Sequence, residues 1–206
     1  MLGLLWALGC ESGRTPIVLG DNPDGGDLGG SCENTIVGVP LEQRRHIPEG
    51  TTPQYLHNPP VSGEHYGEAW ARWQIHTSEV ARGYWVHNLE HGGVVFLYRK
   101  GAPDGVEAPP SVVSALATAY NRASIDSSPE CQNVRPPHKR IVVTPDHLLP
   151  ADLVWAAVAS GPEDASGGGI GYMVEGSCVN VVFLRDFAET HRAVAAGEMN
   201  CEQGAQ

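Results

Sequence analysis

The chain predicts an α+β fold: a single domain with a small sheet, a few helices and a long Pro/Gly-rich loop. Three observations lead there. Unbroken apolar runs such as Val94–Tyr98 and Ile141–Thr144 have the length and the β-branched and aromatic content of buried strands. Two other stretches, 110–124 and 179–196, carry apolar residues at helical spacing. Between them the chain is punctuated by proline and glycine. A length of 206 residues, with 41% hydrophobic and 18% charged residues, suits one globular domain with a real core once a leader and linker are set aside.

Taken in order, residues 1–10 form a short apolar run ending in Cys10. The run is too short to cross a bilayer. It is expected to be a lipoprotein-type export signal, with Cys10 acylated after cleavage, although no Lys or Arg precedes it and Ala7 stands where such signals prefer leucine. Residues 11–31, rich in glycine and aspartate, cannot bury a core and read as a flexible linker. Asp21, Asp24 and Asp27 are spaced by three, unlike the alternating ligands of a calcium loop.

The globular domain is expected over 32–206. Residues 34–38 read as a short strand, and 53–67 as a loop stiffened by Pro59 and Pro60 and turned by Ser62-Gly63. Val94–Tyr98 is the first buried strand. Pro110 opens a helix to Ser124, with Val112, Val113, Leu116 and Tyr120 on one face and Ser111 or a neighbour as its cap. Ile141–Thr144 is a strand ended by Pro145, 154–160 another closed by Gly161-Pro162, and Gly167–Gly169 a loop. Val181, Leu184, Phe187 or Ala188, and His191 line the last helix, which Gly197 stops. Trp70, Trp73, Tyr84 and Trp85 read as core aromatics under the long loop, or as the lining of a ligand groove.

The formal charge is −11, from 13 basic against 24 acidic residues, and no basic run exists to neutralise phosphates. That composition excludes nucleic acid as the expected partner. With Cys10 assigned to the anchor, Cys32, Cys131, Cys178 and Cys201 remain, none with CxxC spacing. In an oxidising compartment they make two disulfides of unassigned connectivity. Cys32 and Cys201 lie near the two ends of the domain, which makes a bridge between them attractive.

Five of nine histidines (His57, His65, His76, His87 and His91) fall within 57–91, where about 1.5 would be expected from the chain's own frequency. Imidazole is the commonest neutral metal ligand. If His87–His91 is helical, His87 and His91 share a face about 6 Å apart, near enough for one ion. An extended chain would part them by about 13 Å. His87-Asn88-Leu89-Glu90-His91 also fits H-x-x-E-H, the inverted zinc-peptidase pattern, but Gly92-Gly93 cuts any helix short. A serine hydrolase is disfavoured because no G-x-S-x-G elbow accompanies the Ser-Gly sites.

Two segments together, Asn58-Pro59-Pro60-Val61-Ser62-Gly63-Glu64-His65 and Val86-His87-Asn88-Leu89-Glu90-His91-Gly92-Gly93-Val94-Val95, resemble the bacterial family known as domain of unknown function 3105. The resemblance covers about residues 45–197. It implies that His46, His65, His87, Glu90 and His91 occupy family positions, while His57 and His76 are peculiar to this chain. It carries no activity.

The expectation is an exported, lipid-anchored protein that binds a transition metal, copper or zinc, through His65, His87 and His91, with His46 as a fourth ligand. Glu90 would lie behind them, fixing a tautomer or serving as a base. Met173 or Met199 could add a thioether for Cu(I). A metal-free cell-surface interaction domain is the alternative and a metal-dependent hydrolase the lesser one. Binding or delivery is expected rather than turnover. His138, His147 and His191 carry no argument.

Overall fold

A computed structural model describes residues 32–165, 167–194 and 200–206. The expected signal, the Cys10 anchor and the linker lie outside them, as does Met199. No described helix is long and apolar enough to cross a membrane.

The core is a five-stranded sheet. Its strands are β1 (Thr35–Pro40), β4 (Val94–Tyr98), β5 (Ile141–Pro145), β6 (Trp155–Ala159) and β7 (Ile170–Glu175), in the order β1-β7-β6-β4-β5. All neighbours are antiparallel except β4 and β5, which run parallel. A parallel pair needs a crossover, and helix α2 (Pro110–Arg122) lies in it. Every residue of β4, β5 and β6 is buried. Both sheet faces are covered, so these strands are continuous apolar runs rather than alternating ones.

On one face Val94, Phe96, Ile141, Val143, Trp155 and Val174 pack with Leu116 of α2 and Leu184 and Phe187 of α3 (Val181–His191). On the other, Val95, Leu97, Val142, Ala156 and Met173 pack with Trp85, Val86 and Leu89 of α1 (Arg82–Glu90) and with Trp73. The thioether of Met173 is thus spent in the core. Trp73 and Trp85 are core aromatics as expected, while Trp70 and Tyr84 pack at its margin.

Several local expectations need correction. No side chain caps α2: Pro109 occupies the cap position and Pro110 follows inside the first turn, where its missing N–H costs nothing. Strand β7 was not expected, because its residues alternate weakly around Gly171. The long loop contains β3 (Glu64–Tyr66), which pairs in parallel with β2 (Arg45–Ile47) and sets His46 opposite His65. Helix α3 is capped by Asn180, whose side chain accepts from Phe183 N, and ends at His191, earlier than residue 196.

The disulfides are Cys32–Cys178 and Cys131–Cys201, with Cα–Cα separations of 5.7 and 5.2 Å. The expected Cys32–Cys201 bridge is absent, for a reason of register. Thr35 of β1 is paired with Glu175 of β7, so the residues three before and three after them meet at the end of the ladder. Cys201 instead ties the C-terminal residues to the loop after α2. Two disulfides fit a domain that matures in an oxidising, extracytoplasmic compartment.

Candidate metal centre

Helix α1 holds the site. Its residues Gly83, Trp85, Val86, His87, Asn88 and Leu89 are all buried. A helix packed on every side has no single apolar face, so its periodicity is silent in the sequence. It approaches β3 closely: a Cβ on Gly83 would stand 2.5–2.7 Å from the Tyr66 ring. It ends where Gly92, at φ +74°, enters the left-handed region and its N–H bonds Leu89 O, while Gly93 N bonds Asn88 O. The local helix that a two-histidine pairing requires is therefore present, and it ends at the glycines.

Three elements bring side chains together. The β2–β3 register sets the rings of His46 and His65 4.8 Å apart, centroid to centroid. The α1–β3 packing sets His87 4.9 Å from His65 and 5.8 Å from His46. Glu90, one turn beyond His87, places Oε2 2.7 Å from His65 Nε2 and 3.5 Å from His46 Nε2. One potential ligand atom from each of His46, His65, His87 and Glu90 lies within 4.8 Å of all the others. His65 and His87 are buried, and His46 is the open side of the group, its side chain 56% exposed. Gly67 makes room for it, since a Cβ there would meet the His46 ring at 3.0 Å.

His91 lies beside this set rather than in it. Its ring packs 4.5 Å from that of His87 and 4.7 Å from that of Trp70, at the end of α1. The membership of Glu90 could have been read from sequence: on a helix, positions three apart are neighbours, so His87 and Glu90 face the same way as readily as His87 and His91. The pairing of His46 with His65 had no local signal, because it depends on a parallel register across 18 intervening residues.

The rings are fixed from behind. His65 Nδ1 stands 2.8 Å from Gly63 O and His87 Nδ1 3.1 Å from Ala69 O. A carbonyl only accepts, so each Nδ1 carries the hydrogen, and in the neutral ring Nε2 is the acceptor. This is how metal-binding histidines are oriented in general. Ala69 is itself held. Fully buried Asn88 accepts from Ala71 N and donates to Ala71 O, both at 2.9 Å. The indoles of Trp70 and Trp73 donate to Glu202 O, and Gln206 exchanges backbone bonds with Trp70 and Arg72. Neither Asn88 nor the C-terminal strap was foreseen; an asparagine inside an apolar helix was the one available signal.

Burial drives the pKa of His87 down to about 4, helped by the neighbouring His91 and His65, so its imidazole is neutral at physiological pH. Burial would raise the carboxyl of Glu90. The hydrogen bond and charge of His65, with His87 and Arg44 beyond, outweigh it and hold the group at about 2. The site is therefore two oriented imidazoles, a third on its open side, and an ionised carboxylate.

The remaining histidines do other work. His57 meets Glu42, His147 meets Glu79, His76 reaches Arg72 O, and His191 packs on Tyr172 and Phe187. Cys131, His138 and Cys201 also converge, but both sulfurs are committed to the disulfide.

The profile of a family described as "protein of unknown function (DUF3105)" matches residues 46–159, which contain every member of the four-residue cluster. No curated protein and no solved structure matches the chain.

Proposed function

The chain belongs to the DUF3105 family of unknown function, and we propose that it is an exported, lipid-anchored protein that binds one copper or zinc ion at the His46–His65–His87–Glu90 cluster. One observation carries the reading. With Nδ1 turned to a carbonyl, the Nε2 of a neutral His65 is an acceptor, yet it lies 2.7 Å from an ionised carboxylate oxygen. Two acceptors in such contact need a cation between them, either a proton or a metal ion. Both atoms are buried, and Glu90 Oε2 also stands 3.5 Å from His46 Nε2.

Three imidazoles and one carboxylate suit zinc or divalent copper. Donors in a four-coordinate sphere stand about 3.3 Å apart. The spacing here, from 2.7 Å to within 4.8 Å, brackets that figure, so small side-chain shifts suffice. Copper is favoured over zinc because divalent copper binds nitrogen ligands more tightly and both ions are met outside the cytoplasm. Glu90 serves as the fourth ligand. With that carboxylate engaged at His65 it is not poised as a general base, and this supports binding or delivery rather than hydrolysis.

Calorimetric titration of the purified chain with Cu²⁺ and with Zn²⁺ tests the reading. One equivalent is expected to bind, and His65→Ala and His87→Ala should each weaken binding at least tenfold, whereas His57→Ala should not. Equal binding by all three variants would remove the assignment and leave a metal-free interaction domain. The anchor predicts that Cys10→Ala releases the exported protein from membranes.

A further inference from the structure

The two disulfides sit in unlike surroundings. Among the described residues, Cys32 has an amide near its sulfur, Asn34 Nδ2 at 3.9 Å. Cys131 and Cys201 each face a nitrogen donor. The Arg140 guanidinium stands 3.2 Å from Cys131 Sγ, and His138 Nε2 stands 3.5 Å from Cys201 Sγ. The tautomer of His138 is settled by its neighbours. Nδ1 accepts from Arg140 N at 3.1 Å, so Nε2 carries the hydrogen, which it donates to Cys201 O at 2.6 Å. Its ring is held by stacking on Trp73 at 5.5 Å. Arg140 is fully buried and is positioned by Asp126 at 2.8 Å and by Ser128 and His91 O. Asp126 pairs with the guanidinium directly at Nε, while the separate N–H of Nη2 faces Cys131.

Donors aimed at sulfur matter little to a disulfide and a great deal to a thiolate. They stabilise the reduced state and the leaving group that forms on the way to it. A cleft of about 610 Å³ adjoins one of the two cysteines, lined by Glu130, Arg135, Asn200, Cys201 and Gln203 among others. Both cysteines are buried, but Cys201 lines the cleft and Cys131 does not, so we take Cys201 as the sulfur an incoming thiolate meets, with Cys131 departing toward Arg140.

We propose that Cys131–Cys201 is an exchangeable, redox-active disulfide that oxidises a dithiol presented at this cleft. A thiolate of the dithiol attacks Cys201 Sγ. The Cys131–Cys201 bond breaks, and Cys131 leaves as a thiolate bonded by Arg140. The second thiol of the dithiol then attacks the mixed disulfide and releases Cys201, whose sulfur lies 3.5 Å from His138 Nε2, the N–H it shares with Cys201 O. Two electrons pass from the dithiol to the protein, one disulfide bond is lost and one is made, and the two protons of the dithiol end on the two cysteines. Cys32–Cys178, which has no such charged or imidazole donor among the described residues, remains the structural staple.

The test equilibrates the full chain with dithiothreitol buffers of graded oxidised-to-reduced ratio, traps thiols by alkylation and maps each cysteine by mass spectrometry. The equilibrium constant for reduction of Cys131–Cys201 is expected to exceed that of Cys32–Cys178 at least tenfold, equivalent to about 30 mV. Arg140→Met should erase most of that difference. Should that variant fail to fold, His138→Phe, which retains the stack on Trp73, should reduce it at least threefold. Brief exposure to glutathione should place the mixed disulfide on Cys201. Equal reducibility of the two bridges, a ratio unchanged by the folded variants, or an adduct on Cys131 would each overturn the proposal.

Discussion

Asn88 offers the plainest test of how the centre is held. Its amide is fully buried and meets both backbone polar groups of Ala71, at 2.9 Å each. Asn88→Ala removes both partners at once and leaves a buried N–H and a buried C=O unsatisfied. Each such group costs about 1–3 kcal/mol, so the pair should cost about 2–6 kcal/mol. For a domain of this size that lowers Tm by about 2–4 °C per kcal/mol. Asn88→Asp keeps the acceptor for Ala71 N but sets a buried carboxylate against Ala71 O, and should be worse. Urea unfolding with both disulfides intact reads the energy directly. The clamp also steadies Ala69, whose carbonyl orients His87, and Trp70, whose ring packs on His87 at 5.2 Å. Copper binding to the folded Asn88→Ala protein should therefore weaken as well. A loss below about 1 kcal/mol would refute the view that Asn88 anchors this segment.

Other consequences follow from the same geometry. His91→Ala should leave one equivalent of ion bound, since its ring lies beside the cluster; loss of the ion by metal analysis would restore His91 to the ligand set. Gly83→Ala puts a methyl 2.5–2.7 Å from the Tyr66 ring and must push α1 from β3, so both Tm and metal affinity should fall together. Stability should decline in acid through two groups whose folded pKa lies below its unfolded value. Between pH 6.5 and about 4 the unfolded chain takes up a proton that folded His87 refuses, and between 4.5 and about 2 it takes up one that folded Glu90 refuses. Both contributions are present above those windows and lost as pH falls through them; His87→Gln should flatten the upper part of the pH–stability curve measured without metal.

The strands of the central sheet were legible because burial on both faces turns them into unbroken apolar runs, as in Val94–Tyr98 and Ile141–Thr144. Helices α2 and α3 were legible because each has one dry and one wet side. Helix α1 was foreseen only through the spacing of His87 and His91, since a helix buried all round has no stripe to detect. Strands β2 and β3 were hidden: three residues each, set in a proline-rich loop, they acquire meaning only when paired. That pairing decides the site, because it delivers His46 to His65. The Cys32–Cys178 bridge was likewise a matter of register, and the chain ends gave the wrong guide to it.

The family match spans residues 46–159, and neither it nor the motif spacing distinguishes a ligand from a neighbour. The convergence of ligand atoms does. His65 and His87 turn Nδ1 to a carbonyl and bring a ligand atom within 4.8 Å of those of Glu90 and His46, whereas His57 and His147 each pair with a single carboxylate elsewhere. A centre assembled from a loop strand, a buried helix and a C-terminal strap depends on distant parts of the chain, and changes far from the ion should be felt there.

The most direct measurement is elemental analysis and X-ray absorption on the untagged full chain, isolated from an oxidising compartment without chelator. The account predicts one equivalent of copper or zinc per chain, with three nitrogens and one oxygen at about 2.0–2.1 Å, lost in His65→Ala. A folded, disulfide-bonded protein that contains no metal and takes up neither ion at micromolar concentration would contradict it.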